Sequence, residues 1–312
     1  MAIKRRAFKG AASFHLGTYG GSGGLTPVGN VTEAVRSITT EEDSLTDYES
    51  VTGGLAAYDE TVTSVDMELT VANFAPHMLA IATLGAVSAV AASAVVDERV
   101  IGWRGKLVPF DVPPDPAVAP VVKAEDGVNA VTWAASTTRA TGVYIKPTVS
   151  NGCFYKVTTG GGASGASQPT WPTTAGATVT DGALTLTCMG KIVKDAVTDY
   201  AVGRAGIVPT DTTGAVEDGR ALLVSYTRLA GSVIETLTAP GQFWTLFMDG
   251  ANRADGGKPV TLRGHKVKIS SADSLPSVSD KFSTYKLTAK FLRDDNITGA
   301  GLSQYIREFW GD

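Results

Sequence analysis

The sequence predicts an all-β fold with one flanking α-helix and a second, small β module inserted into it. Three observations carry that reading. Several segments alternate strictly between apolar and polar residues, turn signals recur at intervals of roughly ten residues, and a single segment has a helix start.

The first clear strand is "TSVDMELTV", where Val65, Met67, Leu69 and Val71 share one face and Ser64, Asp66, Glu68 and Thr70 the other. This is the pattern of a half-buried antiparallel strand. The helix follows, with Asn73 as its expected N-cap, Pro76 in its first turn, and Phe74, Met78, Ile81 and Leu84 near one face as far as Gly85. Residues 78–96 carry no charge, but they are rich in Ala, Ser, Thr and Val, so they read as this helix running into an apolar strand or loop and not as a membrane span. Further on, "ALLVSYTRL" groups Leu222, Val224 and Tyr226, and "STYKLTAKF" sets Tyr285, Leu287, Ala289 and Phe291 against Thr284, Lys286, Thr288 and Lys290. "GQFWTLFMDG" is apolar on both faces and reads as a strand covered on both sides, while "ADGGK" reads as a hairpin turn. Such short strands suggest a sandwich or barrel.

Other segments read as loops or connectors. Residues 15–30 and the acidic stretch 39–60 are long, polar and glycine-bearing. "DVPPDPAVAPVVKAEDG", residues 111–127, reads as a stiff proline-rich connector. Beyond it the charges thin out and Gly, Thr and aromatic residues multiply. The expected division is therefore 1–125 and 193–312 for the larger domain, with 126–192 as the inserted module.

The chemistry of catalysis is scarce. His15, His77 and His265 show no paired spacing, and Cys153 and Cys188 form no CxxC, so neither a metal site nor a catalytic site is predicted, and no cofactor. One bridge between the two cysteines stays open, with no secretory signal to favour it. "GGSGG" and "GGGASG" lack the Lys-Ser/Thr of a phosphate loop and read as flexible loops. A net charge of −4 excludes a broadly cationic surface for nucleic acid. Within the module, Trp171 stands between Pro169 and Pro172. Trp133, Tyr155 and Trp171 are the candidate aromatics of this module, which is expected on the outer surface. Trp171 reads as a core pin in preference to a stacking platform for a sugar.

The order of these elements resembles the major tail tube protein of long-tailed bacteriophages. The residues that carry the likeness are the basic start, the acidic stretch 41–60, "VDMELTVANFAPHMLAIATLG", and the C-terminal run with its "DGANRADGGKPV" hairpin. The likeness covers about residues 1–110 and 195–312. It implies a structural protein with no enzymatic activity and a tail-tube-type β-sandwich or barrel. Hexameric rings would stack into a hollow tube in the virion, assembled in the host cytoplasm. Its partners would be further copies, a tape-measure protein and tail terminator or tip proteins, with no membrane. Residues Glu41, Glu42, Asp43, Asp47 and Tyr48 would then lie in a loop between rings, together with a locking N-terminal segment. Glu60, Asp66 and Glu68 would face the lumen, where like charge lets DNA pass without binding. Residues 133–190 depart from the family and resemble a small module of phage structural proteins. The alternative is accordingly a carbohydrate-binding tail-tip or fibre component that uses this module.

Overall fold

The computed structural model describes residues 7–48, 54–211 and 216–311. Residues 1–6, the basic start, and 49–53, within the expected loop, lie outside them. In chain order the first strands are β1 (Gly10–Thr18), β2 (Thr26–Pro27), β3 (Val31–Thr46) and β4 (Leu55–Val71), then helix α1 (Pro76–Ala82). Next come β5 (Ala86–Val90), β6 (Ala94–Gly102), β7 (Val108–Pro109), β8 (Val121–Ala124), a helical turn α2 (Glu125–Val128), β9 (Val131–Thr132) and β10 (Tyr144–Lys146). After these follow β11 (Cys153–Thr159), β12 (Thr178–Asp181), β13 (Leu184–Lys191), β14 (Tyr200–Val202), β15 (Gly206–Pro209), β16 (Arg220–Thr227) and β17 (Gly231–Glu235). The last strands are β18 (Phe243–Asn252), β19 (Lys258–Ile269), β20 (Tyr285–Leu292) and β21 (Ile306–Trp310). The fold is all-β with little helix, as the alternation predicts.

The chain divides into two compact units, one made of the residues up to Ser88 and from Ser232, the other of Ala89–Gly231. The interruption of the first unit is thus wider than the expected 126–192. The proline-rich segment 111–127 belongs inside the second unit. Val122 is fully buried there, β8 pairs with β16, and Pro114 bridges to Arg228, so it is part of a sheet and not a free connector.

The first unit is built on an eight-stranded sheet in the order β2-β1-β18-β19-β20-β4-β3, with β21 also on β19. Its pairings are antiparallel. The alternation of β4 and β20 sends Met67, Leu69, Val71, Leu287 and Phe291 to one face, where they meet Phe14, Leu246, Leu262 and Val267. Helix α1 covers this face with Met78 and Ala82. Each large side chain so buried contributes roughly 1.5–3 kcal/mol. Gly264 is required here, because a Cβ would stand 2.3 Å from Cε1 of Phe291. At the start of α1 the cap position is Ala75, with Pro76 as the first helical residue, and Asn73 acts one step earlier. Its Oδ1 accepts from the Ala75 N–H at 3.1 Å and its Nδ2 donates to the Val28 carbonyl at 3.0 Å.

Two expectations change in this unit. Strand β18 is covered on one face only: Leu246 is fully buried, whereas Phe243 is 37% exposed and lies under the Lys266 ammonium at 4.9 Å. An apolar run does not reveal whether its second cover comes from the same chain. The acidic stretch is also not a loop. β3 and β4 are sixteen and seventeen residues long, roughly 50 Å each at the usual strand rise, and they pair with each other from Val31↔Val71 to Thr46↔Leu55. Strand β20 accompanies β4 only from Val71 to Asp66, so the remainder of this hairpin is a two-stranded arm.

In the second unit, β6-β16-β8 form one three-stranded sheet and β14-β15-β7 another, around Val108, Val122, Tyr200, Ile207, Leu222 and Val224. The five-stranded sheet β12-β13-β11-β10-β9 has its own core of Ile145, Tyr155, Val157, Leu184 and Leu186. The apolar stretch 78–96 is divided among α1, β5 and the start of β6, and among the described residues no helix is long and apolar enough to cross a membrane.

Candidate functional site

The arm is the most unusual feature of the first unit. Strand β3 ends the sheet, so along sixteen residues one of its edges has no partner strand among the described residues. A long open edge of this kind is a template for pairing with another chain. The arm also exposes large apolar side chains: Ile38 (60%), Val62 (56%) and Leu45 (61%). Ile38 and Val62 line a shallow groove at its base with Val65, Tyr305 and Ile306. Arg36 of β3 and Glu308 of β21 close one end of the groove by an ion pair.

Charges are arranged unevenly along the arm. Toward its tip Glu42 faces Glu60 and Asp43 faces Asp59, while Glu41 faces Thr61. The candidate loop residues Glu41, Glu42 and Asp43 are therefore strand residues of β3, and Asp47 and Tyr48 lie just past its end, Tyr48 being 88% exposed. Their polar side chains hid the strand, because neither face of the arm is buried and no apolar alternation is needed. Asp47 nevertheless receives structure, its N–H donating to the Gly54 carbonyl at 2.8 Å.

The lumen-facing candidates separate into two groups. Glu60 belongs to the arm, whereas Asp66 and Glu68 lie on the outer face of the sheet beside β20. That face is mixed and not acidic. Glu68 accepts from Lys286 Nζ at 2.5 Å, which holds the lysine above its ordinary pKa. Asp66 stands opposite Lys290, which in turn stands opposite Lys268. The Asp66 Oδ2 accepts from the Ser64 hydroxyl at 3.0 Å, and its buried Oδ1 has no hydrogen-bond partner among the described residues. The expectation of an acidic strip there is corrected by strands β19 and β20, whose lysines a single-strand reading does not see.

Of the three candidate aromatics, Tyr155 belongs to the core of the five-stranded sheet and Trp133 and Trp171 pack against it. Tyr155 is fully buried, its hydroxyl donates to the Pro172 carbonyl at 2.8 Å, and Asn151 Nδ2 donates to it at 2.6 Å. Burial pushes its pKa up to about 12. Trp171 packs on it with ring centroids 4.5 Å apart, and its Nε1 donates to Gln168 at 3.1 Å. Trp133 is half-buried, and its Nε1 donates at 2.7 Å to the buried carboxylate of Asp181, which also accepts from the Gly165 N–H at 2.8 Å. Trp171 thus packs as the expected core pin, and Trp133 and Tyr155 serve the same core: a small sheet has few large groups to bury and uses them.

The glycine run 160–165 is likewise ordered. A Cβ on Gly160 would stand 2.3 Å from the Thr141 nitrogen, and one on Gly162 would stand 2.4 Å from the Ala183 Cβ. The Gly161 N–H donates to the Arg139 carbonyl and the Arg139 N–H to the Gly162 carbonyl. Close backbone approach explains these glycines better than flexibility.

Cys153 and Cys188 are buried free thiols, and burial first, then the neighbouring Cys188, raises the Cys153 pKa. Among the described residues no group of three His, Cys, Asp or Glu side chains is placed to hold a metal ion. Sequence reading missed the arm.

No curated protein matches the chain. A family model does match, over residues 7–150 and 173–308, and so spans most of both units. By that match the chain belongs to the family described as protein of unknown function UCP028589.

Proposed function

We propose that this chain is a structural virion protein whose copies join side by side into rings, and that the rings stack into the tail tube of a long-tailed phage. The observation that carries the reading is the arm: a sixteen-residue edge strand that ends an open sheet and leaves apolar side chains in water. A monomer with such an edge is prone to pair, and assembly of copies removes the liability. Pairing related by a rotation that closes gives a ring, and a head-to-tail contact that does not close gives a filament. Six copies to the ring, and tape-measure and terminator or tip proteins as further partners, enter from the resemblance to tail tube proteins.

In this reading the protein has no catalytic role, and DNA passes through the tube without specific binding. The charges that repel DNA would be those toward the arm's tip and not Asp66 and Glu68, which have lysines beside them. The core packing of Tyr155 and of Trp171 upon it favours the structural reading over the carbohydrate-binding alternative. Electron microscopy of the purified chain tests the proposal. Rings or long hollow tubes support it. A monomer at every concentration, with affinity for glycans, overturns it.

A further inference from the structure

Strands β19 and β21 place two like charges directly opposite each other, Arg263 and Arg307. The next pair along this ladder, Leu262 with Glu308, turns Leu262 into the core, so both arginines lie on the outer face of the sheet, where both are exposed. Like charges so placed weaken a strand pair. Among the described residues neither arginine forms an ion pair. The carboxylates nearby have other partners: Glu308 pairs with Arg36, Asp295 with Arg293 at 2.9 Å, and Asp294 accepts from the Tyr19 hydroxyl at 2.7 Å and the Asn296 N–H at 3.1 Å. The other basic pair of this face, Lys268 with Lys290, has Asp66 beside it. The uncompensated charge is therefore that of the two arginines. Phe309, 59% exposed, lies two places from Arg307 at the border of this patch.

The arm of the same unit carries the inverse arrangement. Glu42 stands opposite Glu60, and both are exposed. Tyr58, 50% exposed, follows on the same face of the ribbon, opposite Ser44. Residues 39–48 and 54–61 contain six carboxylates and no Lys or Arg. Asp43 and Asp59 belong to the opposite face of the ribbon, because successive residues of a strand alternate.

We propose that the arm of one copy lies across the outer face of a second copy's sheet, with Glu42 and Glu60 against Arg263 and Arg307 and Tyr58 against Phe309. Two repulsions, each costly in the separate copies, are thereby exchanged for charge-assisted hydrogen bonds between opposite charges. A chain's own arm does not fill this seat, since it meets β21 through Arg36 and Glu308, on the core side of the sheet. Arm and patch are different surfaces, so the contact runs head to tail and extends from copy to copy. Asp43 and Asp59 stay on the far face and keep the arm negative. This inference rests on the reading that the arm joins copies, and names the seat that the arm takes.

Sedimentation of the full chain over a range of concentrations, with charge-reversed variants, is the test. Arm reversal is Glu42→Lys with Glu60→Lys, and patch reversal is Arg263→Glu with Arg307→Glu. Each sets like charges against each other across the contact and should raise the concentration needed for assembly at least about tenfold, with the circular dichroism melt in place. The chain with all four substitutions restores opposite charges and should assemble within about threefold of the natural concentration. If that chain does not fold, an equimolar mixture of the two reversed chains, in which each arm meets the other's patch, decides in its place. Normal assembly of either reversed variant, or no recovery in the fourfold chain or the mixture, overturns the seat and leaves the arm as an assembly element. Patch reversal that assembles normally but no longer retards double-stranded DNA in a gel assigns the arginines to nucleic acid and overturns the seat as well. A natural chain that is monomeric at every concentration overturns both readings.

Discussion

Glu42 of β3 stands directly across the ladder from Glu60 of β4, and the next pair along, Asp43 and Asp59, repeats the opposition. Like charges placed directly opposite weaken a strand pair, and opposite charges strengthen it by roughly 0.2–1 kcal/mol. The Glu60→Lys variant should therefore make the arm more rigid. Hydrogen exchange measured on monomeric protein should show slower exchange at residues 40–46 and 57–61, with the eight-stranded sheet unchanged. Equal or faster exchange in the arm contradicts this.

The exposed apolar groups of the arm separate folding from assembly. Ile38 and Val62 are 60% and 56% exposed, so Ile38→Lys with Val62→Lys should alter the unfolding free energy by less than about 1 kcal/mol. In the proposed tube the same pair would sit at a contact between copies. Light scattering should then show loss of rings and tubes while the circular dichroism melt stays in place. Normal tubes from the double variant count against the arm as an assembly element.

Asp181 offers the sharpest test of the module's core. It accepts from the Trp133 indole and from the Gly165 N–H, and it is 2% exposed. Asp181→Ala leaves both donors unmatched, at roughly 1–3 kcal/mol each, so a loss of roughly 2–6 kcal/mol is expected in urea unfolding. Asp181→Asn retains an acceptor for one of them and should fall between. An alanine variant as stable as the natural chain would mean that water replaces the carboxylate.

His265 links stability to pH. Burial, then the charge of Arg263, holds its pKa below the ordinary 6.5. The unfolded chain thus binds a proton at a higher pH than the folded one, and stability falls as pH drops from about 6.5 through the lower folded value. His265→Gln should flatten that part of the stability profile and leave the region above pH 7 unaltered. A natural chain whose stability holds steady or rises as pH falls from 6.5 to 5, with no difference in the variant, would contradict the sign.

The parts of the fold that sequence revealed are those where one face is buried. Met67, Leu69, Leu287 and Phe291 alternate with polar neighbours because a core lies on one side only, and the strands could be read directly. The arm escaped notice because water lies on both of its faces, so Glu41, Glu42 and Asp43 have no apolar alternation to declare them. The charge of the sheet face escaped for another reason. Asp66 and Lys290 are more than two hundred residues apart in the chain and meet only through strand order.

The glycine run 160–165 has a practical consequence for anyone who wishes to display a peptide on this protein. By composition "GGGASG" looks like an ideal place to splice in a tag or epitope. The backbone there is clasped between Thr141 and Ala183, and its N–H and carbonyl groups are engaged with Arg139, so an insertion would unpick the module before it displayed anything. The loop around Val278 and Phe282, whose side chains are 96% and 105% exposed, is the better splice site.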